Sequence, residues 1–334
     1  MVIFRQEHTS VQPAAESPQP RSPRAQDTRP GAREGSPERT PAEPAGRRGW
    51  GTGFLFLLAT LASMAALAAT YYIFVRTTTG QFIDESALVE AVETHGTAGK
   101  AATKLLDSLP ALSLLISAVV VLFVTVLKRR WTAAGIAVAA CVGANVATQV
   151  LKAIVPDRPY RGIETLELNS LPSGHTTLAA SAAAAVFLVV SPRWRPLAGF
   201  LGGSVAVATG VSTLINQWHR PADVVAAFLV VAVFILPAGW LVIRTGPRWS
   251  VWDGYGQHWA SSRLWLALPL LAGLAAAAVA AFSLLGVATP GLAGSTTSYF
   301  WAGTALIVIA GYLATVGCVW LFGHATRRRR APCR

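Results

Sequence analysis

The chain is predicted to be all-α, a polytopic membrane helical bundle, on three observations. Of its 334 residues, 53% are hydrophobic and only 13% are charged, a balance unlike that of an average soluble domain. Eight segments approach or reach the about 20 mostly apolar residues that a helix needs to cross a bilayer core of about 30 Å. Basic residues gather between alternate segments, the pattern that orients membrane proteins.

The elements follow in order. Residues 1–49 hold eight of the twenty prolines and eight arginines, with few aromatic or β-branched side chains. Such a stretch buries too little apolar surface to offset its ordering entropy, so a disordered cytoplasmic arm is expected. No apolar core follows its early charges as it would in a signal peptide. The spans are predicted at 54–75, 109–127, 132–154, 173–191, 196–216, 222–243, 264–285 and 299–322. Pro110, Pro237 and Pro269 fall near the ends of these runs or within them, which membrane helices tolerate. Between the sixth and seventh spans, 244–263 carries Trp249, Trp252, Tyr255 and Trp259, as suits a linker lying among headgroups. A basic tail closes the chain at 327–334.

Arg47-Arg48, Lys128-Arg129-Arg130, Arg193 with Arg195, Arg244 with Arg248 and Arg263, and Arg327 to Arg330 all fall on one side of this arrangement. Both termini are then expected in the cytoplasm of a multi-pass plasma membrane protein. The opposite side receives an acidic, mixed loop at 76–108 and the loops at 155–172, 217–221 and 286–298. The net charge of +12 is thereby assigned to membrane orientation and anionic lipid rather than to nucleic acid. Cys141, Cys318 and Cys333 are too few and scattered for a disulfide framework.

Two of the opposite-side loops carry Arg158, Arg161 and Arg220 where topology disfavours them, which invites a functional explanation. Three segments meet at that face. Lys152-Ala-Ile-Val-Pro-Asp-Arg158-Pro159 ends the third span, Pro172-Ser173-Gly174-His175 opens the fourth, and His219-Arg220-Pro221-Ala222-Asp223 opens the sixth. Lys152 and Arg158 supply fixed positive charge, and a guanidinium grips two phosphate oxygens through its planar fork. Ser173 suits an N-cap and Gly174 permits close backbone approach, which makes the start of the fourth helix a candidate anion site. His175 can donate a proton to a leaving oxygen. His219 and Asp223, four residues apart with Pro221 in the first turn, project from one face, so the carboxylate can hold one imidazole nitrogen while the other attacks.

Each fragment has a plainer reading when taken alone: Ser173 as a simple cap, Lys152 and Arg158 as headgroup anchors, Asp223 as a carboxylate at a helix dipole. Their order and spacing together favour a site. Asn145 and Gln149, inside the third span, are assigned to interhelical hydrogen bonds, and Glu164 and Glu167 to pairs with nearby arginines or solvent.

These residues resemble the lipid phosphate phosphatase, or type 2 phosphatidic acid phosphatase, superfamily. Its pattern is a Lys, six residues and Arg-Pro; then Pro-Ser-Gly-His; then Ser-Arg, five residues, His, three residues and Asp. The resemblance covers roughly 109–243 and implies a six-helix phosphatase core, here followed by two further transmembrane helices. It implies a phosphohistidine on His219, leaving-group protonation by His175, phosphate binding by Lys152, Arg158, Ser173 and Gly174, and neither metal nor other cofactor. The substrate class it favours is a membrane lipid phosphate, either a polyprenyl phosphate or pyrophosphate or a phosphatidic acid-like lipid.

Two departures stand out. Five residues rather than six separate Lys152 from Arg158, and Thr213 stands where the pattern has Arg after Ser212. Arg220 or Arg161 is the candidate replacement cation. The alternative to an active phosphatase is a catalytically weakened lipid-phosphate binder or scaffold. A transporter is disfavoured, because the charged residues sit at helix ends rather than at mid-bilayer.

Overall fold

A computed structural model describes residues 49–163, 170–246, 249–288 and 297–327. The arm over 1–48, Glu164, Glu167, Arg248, Cys333 and all of the basic tail beyond Arg327 lie outside the described residues. The described residues form eight α-helices: α1 (Gly49–Arg76), α2 (Thr78–Lys128), α3 (Trp131–Ile154), α4 (Gly174–Val189), α5 (Arg195–Ile215), α6 (Pro221–Thr245), α7 (Leu264–Ala288) and α8 (Ser298–Thr326). Each contains or closely matches one expected span, and the described residues form no strand, so the chain is an all-α polytopic bundle. Among the described residues seven helices are long and apolar enough to cross a membrane. The shorter α4 has nine of its sixteen residues buried, and a helix screened from lipid by its neighbours need not match the bilayer thickness.

One expectation is corrected. The stretch 76–108 is not a loop: α2 starts at Thr78, capped by the Thr77 hydroxyl that accepts the Gly80 N–H. At 1.5 Å per residue its 51 residues extend about 76 Å, more than twice a bilayer core, and only Gly99–Lys128 forms its span. The first part of α2 lies instead along the end of the bundle where α4 and α6 begin. There Asp84 accepts the Ala222 N–H at 2.9 Å, a carboxylate oxygen of Glu90 accepts the Phe300 N–H at 2.8 Å, and the Thr103 hydroxyl donates to Asn216 at 2.8 Å. Helical propensity through Ala87, Leu88, Ala91 and Ala102, all buried, outweighs the loop reading suggested by the charges.

The bundle closes through small side chains, as membrane helices require when apolar surface is equally at home in lipid. On α3 the buried stripe Ala133, Ala137, Ala140, Ala144 and Thr148 recurs at helical spacing. On α5, a Cβ at Gly202 would lie 2.7 Å from that of Ala183, and one at Gly199 would lie 2.7 Å from Val319. Those contacts seat α5 between α4 and α8. Phe322 of α8 stands edge-on to Phe56 at 5.1 Å and to Phe187 at 5.0 Å, tying α1, α4 and α8 together. Thus α8 is built into the core, whereas only 6% of the apolar window spanning α7 is buried.

At the basic end, Arg130 donates to the Val189 carbonyl at 2.6 Å and stacks on Trp249, so a guanidinium closes the C-terminus of α4. Asn145 donates to the Ser181 hydroxyl at 2.9 Å across α3 and α4, as expected, while Gln149 is exposed.

Gly239 of α6 tests this packing, because a Cβ there would strike the wedged Phe322 ring. Gly239→Ala is expected to destabilise the detergent-solubilised protein by about 1–3 kcal/mol in thermal unfolding. Gly273→Ala, where a Cβ meets nothing within 4 Å, is expected to be neutral or slightly stabilising.

Candidate active site

Two hydrogen-bonded helix starts organise the site. Ser173 caps α4, its hydroxyl accepting the Thr176 N–H at 3.4 Å and the Thr176 hydroxyl at 3.1 Å. Its own N–H donates to the Asp223 carbonyl at 2.9 Å, so the start of α4 is fastened to the first turn of α6. Pro221 occupies the first position of α6, where its missing N–H costs nothing. Asp223 then turns its carboxylate back to the helix start, Oδ2 accepting the Arg220 N–H at 3.0 Å.

The same Oδ2 lies 3.4 Å from Nδ1 of His219. With a proton on Nδ1, that contact orients the ring and leaves the Nε2 lone pair available. A third donor, the Ser170 hydroxyl, reaches Oδ2 at 2.6 Å. The other carboxylate oxygen, Oδ1, is buried without a hydrogen-bond partner. The turn before His219 is fixed by Gln217, in the left-handed region at φ 59°, and by the Thr213 carbonyl, which accepts the Trp218 N–H at 2.9 Å and the His219 N–H at 3.3 Å.

His175, in the first turn of α4, places its ring 5.3 Å from that of Trp218, the neighbour of His219. Both His219 and Lys152 lie within electrostatic reach of it. The position of Lys152 follows from packing: one turn earlier on α3, Thr148 shares a 3.1 Å hydrogen bond with Thr177 of α4, so Lys152 stands level with Ser173. Lys152 is half-buried, and among the described residues no carboxylate pairs with it. Gly174 is not demanded by packing, since a Cβ there would meet nothing within 4 Å; the space beside the α4 start is open.

The arginines are placed differently from a simple phosphate grip. Arg158 is wholly buried, with Nη2 at 3.0 Å from Asp84 Oδ2 and 3.9 Å from Asp223 Oδ1, and with Nη1 donating to the Phe74 carbonyl at 3.3 Å. Arg220 donates through Nε to Glu85 at 2.6 Å and through Nη1 to the Ser170 hydroxyl at 3.1 Å. Thr213, at the position of the family arginine, is buried and donates to the Gly210 carbonyl at 2.7 Å. Of the two replacement cations considered, Arg220 is therefore engaged by Glu85 at the site, and Arg161 is exposed. Burial pushes the Asp84 carboxyl up to about 7, while the Arg158 guanidinium pulls it the other way. Among the described residues no three His, Cys, Asp or Glu side chains converge on a point that could hold a metal ion.

The motifs name eight of these residues, Lys152, Arg158, Ser173, Gly174, His175, His219, Arg220 and Asp223, and leave out Ser170, Asp84 and Glu85. The available signal was chemical: an arginine buried beside a membrane needs a carboxylate, and Asp84-Glu85 is the first acidic pair after α1.

Residues 132–250 match the model of the PAP2 superfamily; no curated protein and no solved structure matches the chain. The match runs from α3 through α6 and takes in Lys152, Arg158, Ser173, Gly174, His175, His219 and Asp223, while leaving Asp84 and Glu85 outside. The segment that carries the His219–Asp223 pair, the α4 start and Lys152 is thus the part of this polytopic membrane protein that is similar to the PAP2 superfamily.

Proposed function

We propose that the protein is a membrane lipid phosphatase that hydrolyses a lipid phosphomonoester or pyrophosphate through a phosphohistidine on His219. PAP2 superfamily membership of the segment points to phosphatase-type chemistry on phosphate esters. The observation that carries the finer reading is the His219 Nδ1 contact with Asp223 Oδ2 at 3.4 Å, beside a second imidazole and a half-buried lysine.

In the first step Nε2 of His219 attacks phosphorus in line, an N–P bond forms, and the P–O bond to the lipid breaks. His175 delivers its proton to the departing oxygen. Lys152 and the N–H groups at the start of α4 stabilise the charge on the transferring phosphoryl oxygens. Water then attacks the phosphohistidine, giving up a proton to His175, and inorganic phosphate leaves with the His219 ring restored. Asp223 holds the imidazole in the required tautomer and stabilises its positive charge. The distribution of Lys and Arg supports a site on the extracytoplasmic side of the plasma membrane.

A second reading has its own support. Thr213 supplies no charge, and Arg158 and Arg220 are each held by a carboxylate, as suits a lipid-phosphate binder with little turnover.

Phosphate release from polyprenyl phosphates, polyprenyl pyrophosphates and phosphatidic acid, with chelator present, separates the two. His219→Ala is expected to abolish release and acid-labile phosphate labelling of the protein. Asp223→Asn is expected to lower kcat by about 10²–10⁴-fold. Wild-type protein that binds these lipids without releasing phosphate would instead establish the binder.

Lys152→Met is expected to lower kcat/KM by roughly 10- to 150-fold, as loss of one charged hydrogen bond of about 1.5–3 kcal/mol implies. Arg161→Ala is expected to leave it within about twofold, because the exposed guanidinium interacts through water. Comparison of kcat/KM for the two variants checks this.

A further inference from the structure

We propose that Asp84 is a positioning residue that withholds Arg158 from Asp223 and so leaves Asp223 to His219. This inference rests on the phosphatase reading of the site, and it assigns a role to a residue outside the PAP2 segment.

Two carboxylates compete for one guanidinium. Nη2 of Arg158 stands 3.0 Å from Asp84 Oδ2 and 3.9 Å from Asp223 Oδ1. At the longer contact the acceptor is under-satisfied: Oδ1 of Asp223 is buried and has no hydrogen-bond partner, and elsewhere on the same guanidinium Nε of Arg158 is buried without one. Buried groups in that condition are strongly favoured to pair. What restrains Arg158 is Asp84, whose other oxygen accepts the Ala222 N–H at 2.9 Å, so this carboxylate is anchored to the α6 start and cannot drift with the arginine.

If the negative charge at residue 84 is lost, Arg158 is drawn to Oδ1. The Asp223 carboxylate then turns towards it, and the weakest of its Oδ2 bonds breaks first. Those bonds measure 2.6 Å to Ser170, 3.0 Å to the Arg220 N–H and 3.4 Å to His219, so the histidine is released before its scaffold. Among the described residues the other charged or titratable groups beside this cluster are His219 and the Glu85–Arg220 pair, with His175 and Lys152 beyond His219; none donates to Oδ1.

The test uses full-length protein in nanodiscs, labelled with ¹⁵N-histidine, at a pH above the Asp84 value. The His219 signals are identified by their loss in His219→Gln. Asp84→Asn keeps an acceptor for the Ala222 N–H but removes the charge. It is expected to convert the Nδ1–H tautomer of His219 into a mixture and to lower kcat by about 10- to 100-fold, with KM changed less than about threefold. In an Arg158→Met background the same substitution is expected to leave the tautomer unchanged and kcat within about twofold.

An unaltered tautomer in Asp84→Asn, or an equal loss in both backgrounds, overturns the proposal. Should Asp84→Asn fail to fold, Asp84→Ser is read in its place: a mixed tautomer that Arg158→Met restores supports the role, and an unaltered tautomer rejects it. Phosphate release by wild type is read separately, so failure of the phosphatase reading is distinguishable from failure of this one.

Discussion

The site depends on one buried carboxylate. Asp223 is fully buried, and a charge removed from water is tolerable only when donors surround it. Its Oδ2 collects the Ser170 hydroxyl, the Arg220 N–H and His219, and its main-chain carbonyl takes the Ser173 N–H. These four partners come from three local structures: the linker before α4, the turn before α6, and the α4 cap. One residue thereby sets the distance between two motifs separated by some fifty residues, through its carbonyl, and aims the histidine that stands between solvent and core, through its carboxylate.

Around that carboxylate the charges are nearly balanced. Arg158 faces Asp84 and Arg220 faces Glu85, so two of the three non-histidine cations at the site are already compensated by acids from α2. Lys152 differs, because no carboxylate among the described residues pairs with it. A phosphate arriving at the α4 start would meet a lysine, backbone N–H groups and two imidazoles rather than a cluster of available guanidiniums. Absence of the family arginine at Thr213 fits the same pattern, since the Thr213 hydroxyl turns back to its own helix and contributes packing to α5 instead of charge.

The helices beyond the PAP2 segment are part of how the site is held. α2 brings Asp84 and Glu85 to the α6 start, and Glu90 on the same helix holds the Phe300 N–H at the beginning of α8. α8 in turn lies against α5 and α6, with its Phe322 in the aromatic cluster. Accordingly the support for the His219 turn extends from residue 84 to the eighth helix, well past the boundaries of the recognised segment.

The sequence alone determined the eight apolar spans, their common charge asymmetry and the order of the three motifs, because hydrophobic length, Lys and Arg placement and local capping chemistry are written within a few residues of where they act. The contact between His219 and Asp223 was legible for that reason: a helix start imposes the geometry of residues four apart. Tertiary structure alone decided what Asp84, Glu85 and Ser170 do, and that Arg158 faces inward. Those assignments are pairings across 50 to 138 residues of chain, and a carboxylate in an amphipathic stretch carries no local mark of which arginine it will meet. The helical start of α2 escaped the sequence reading for a related reason, since its buried alanines gain their burial only from helices that lie far away along the chain.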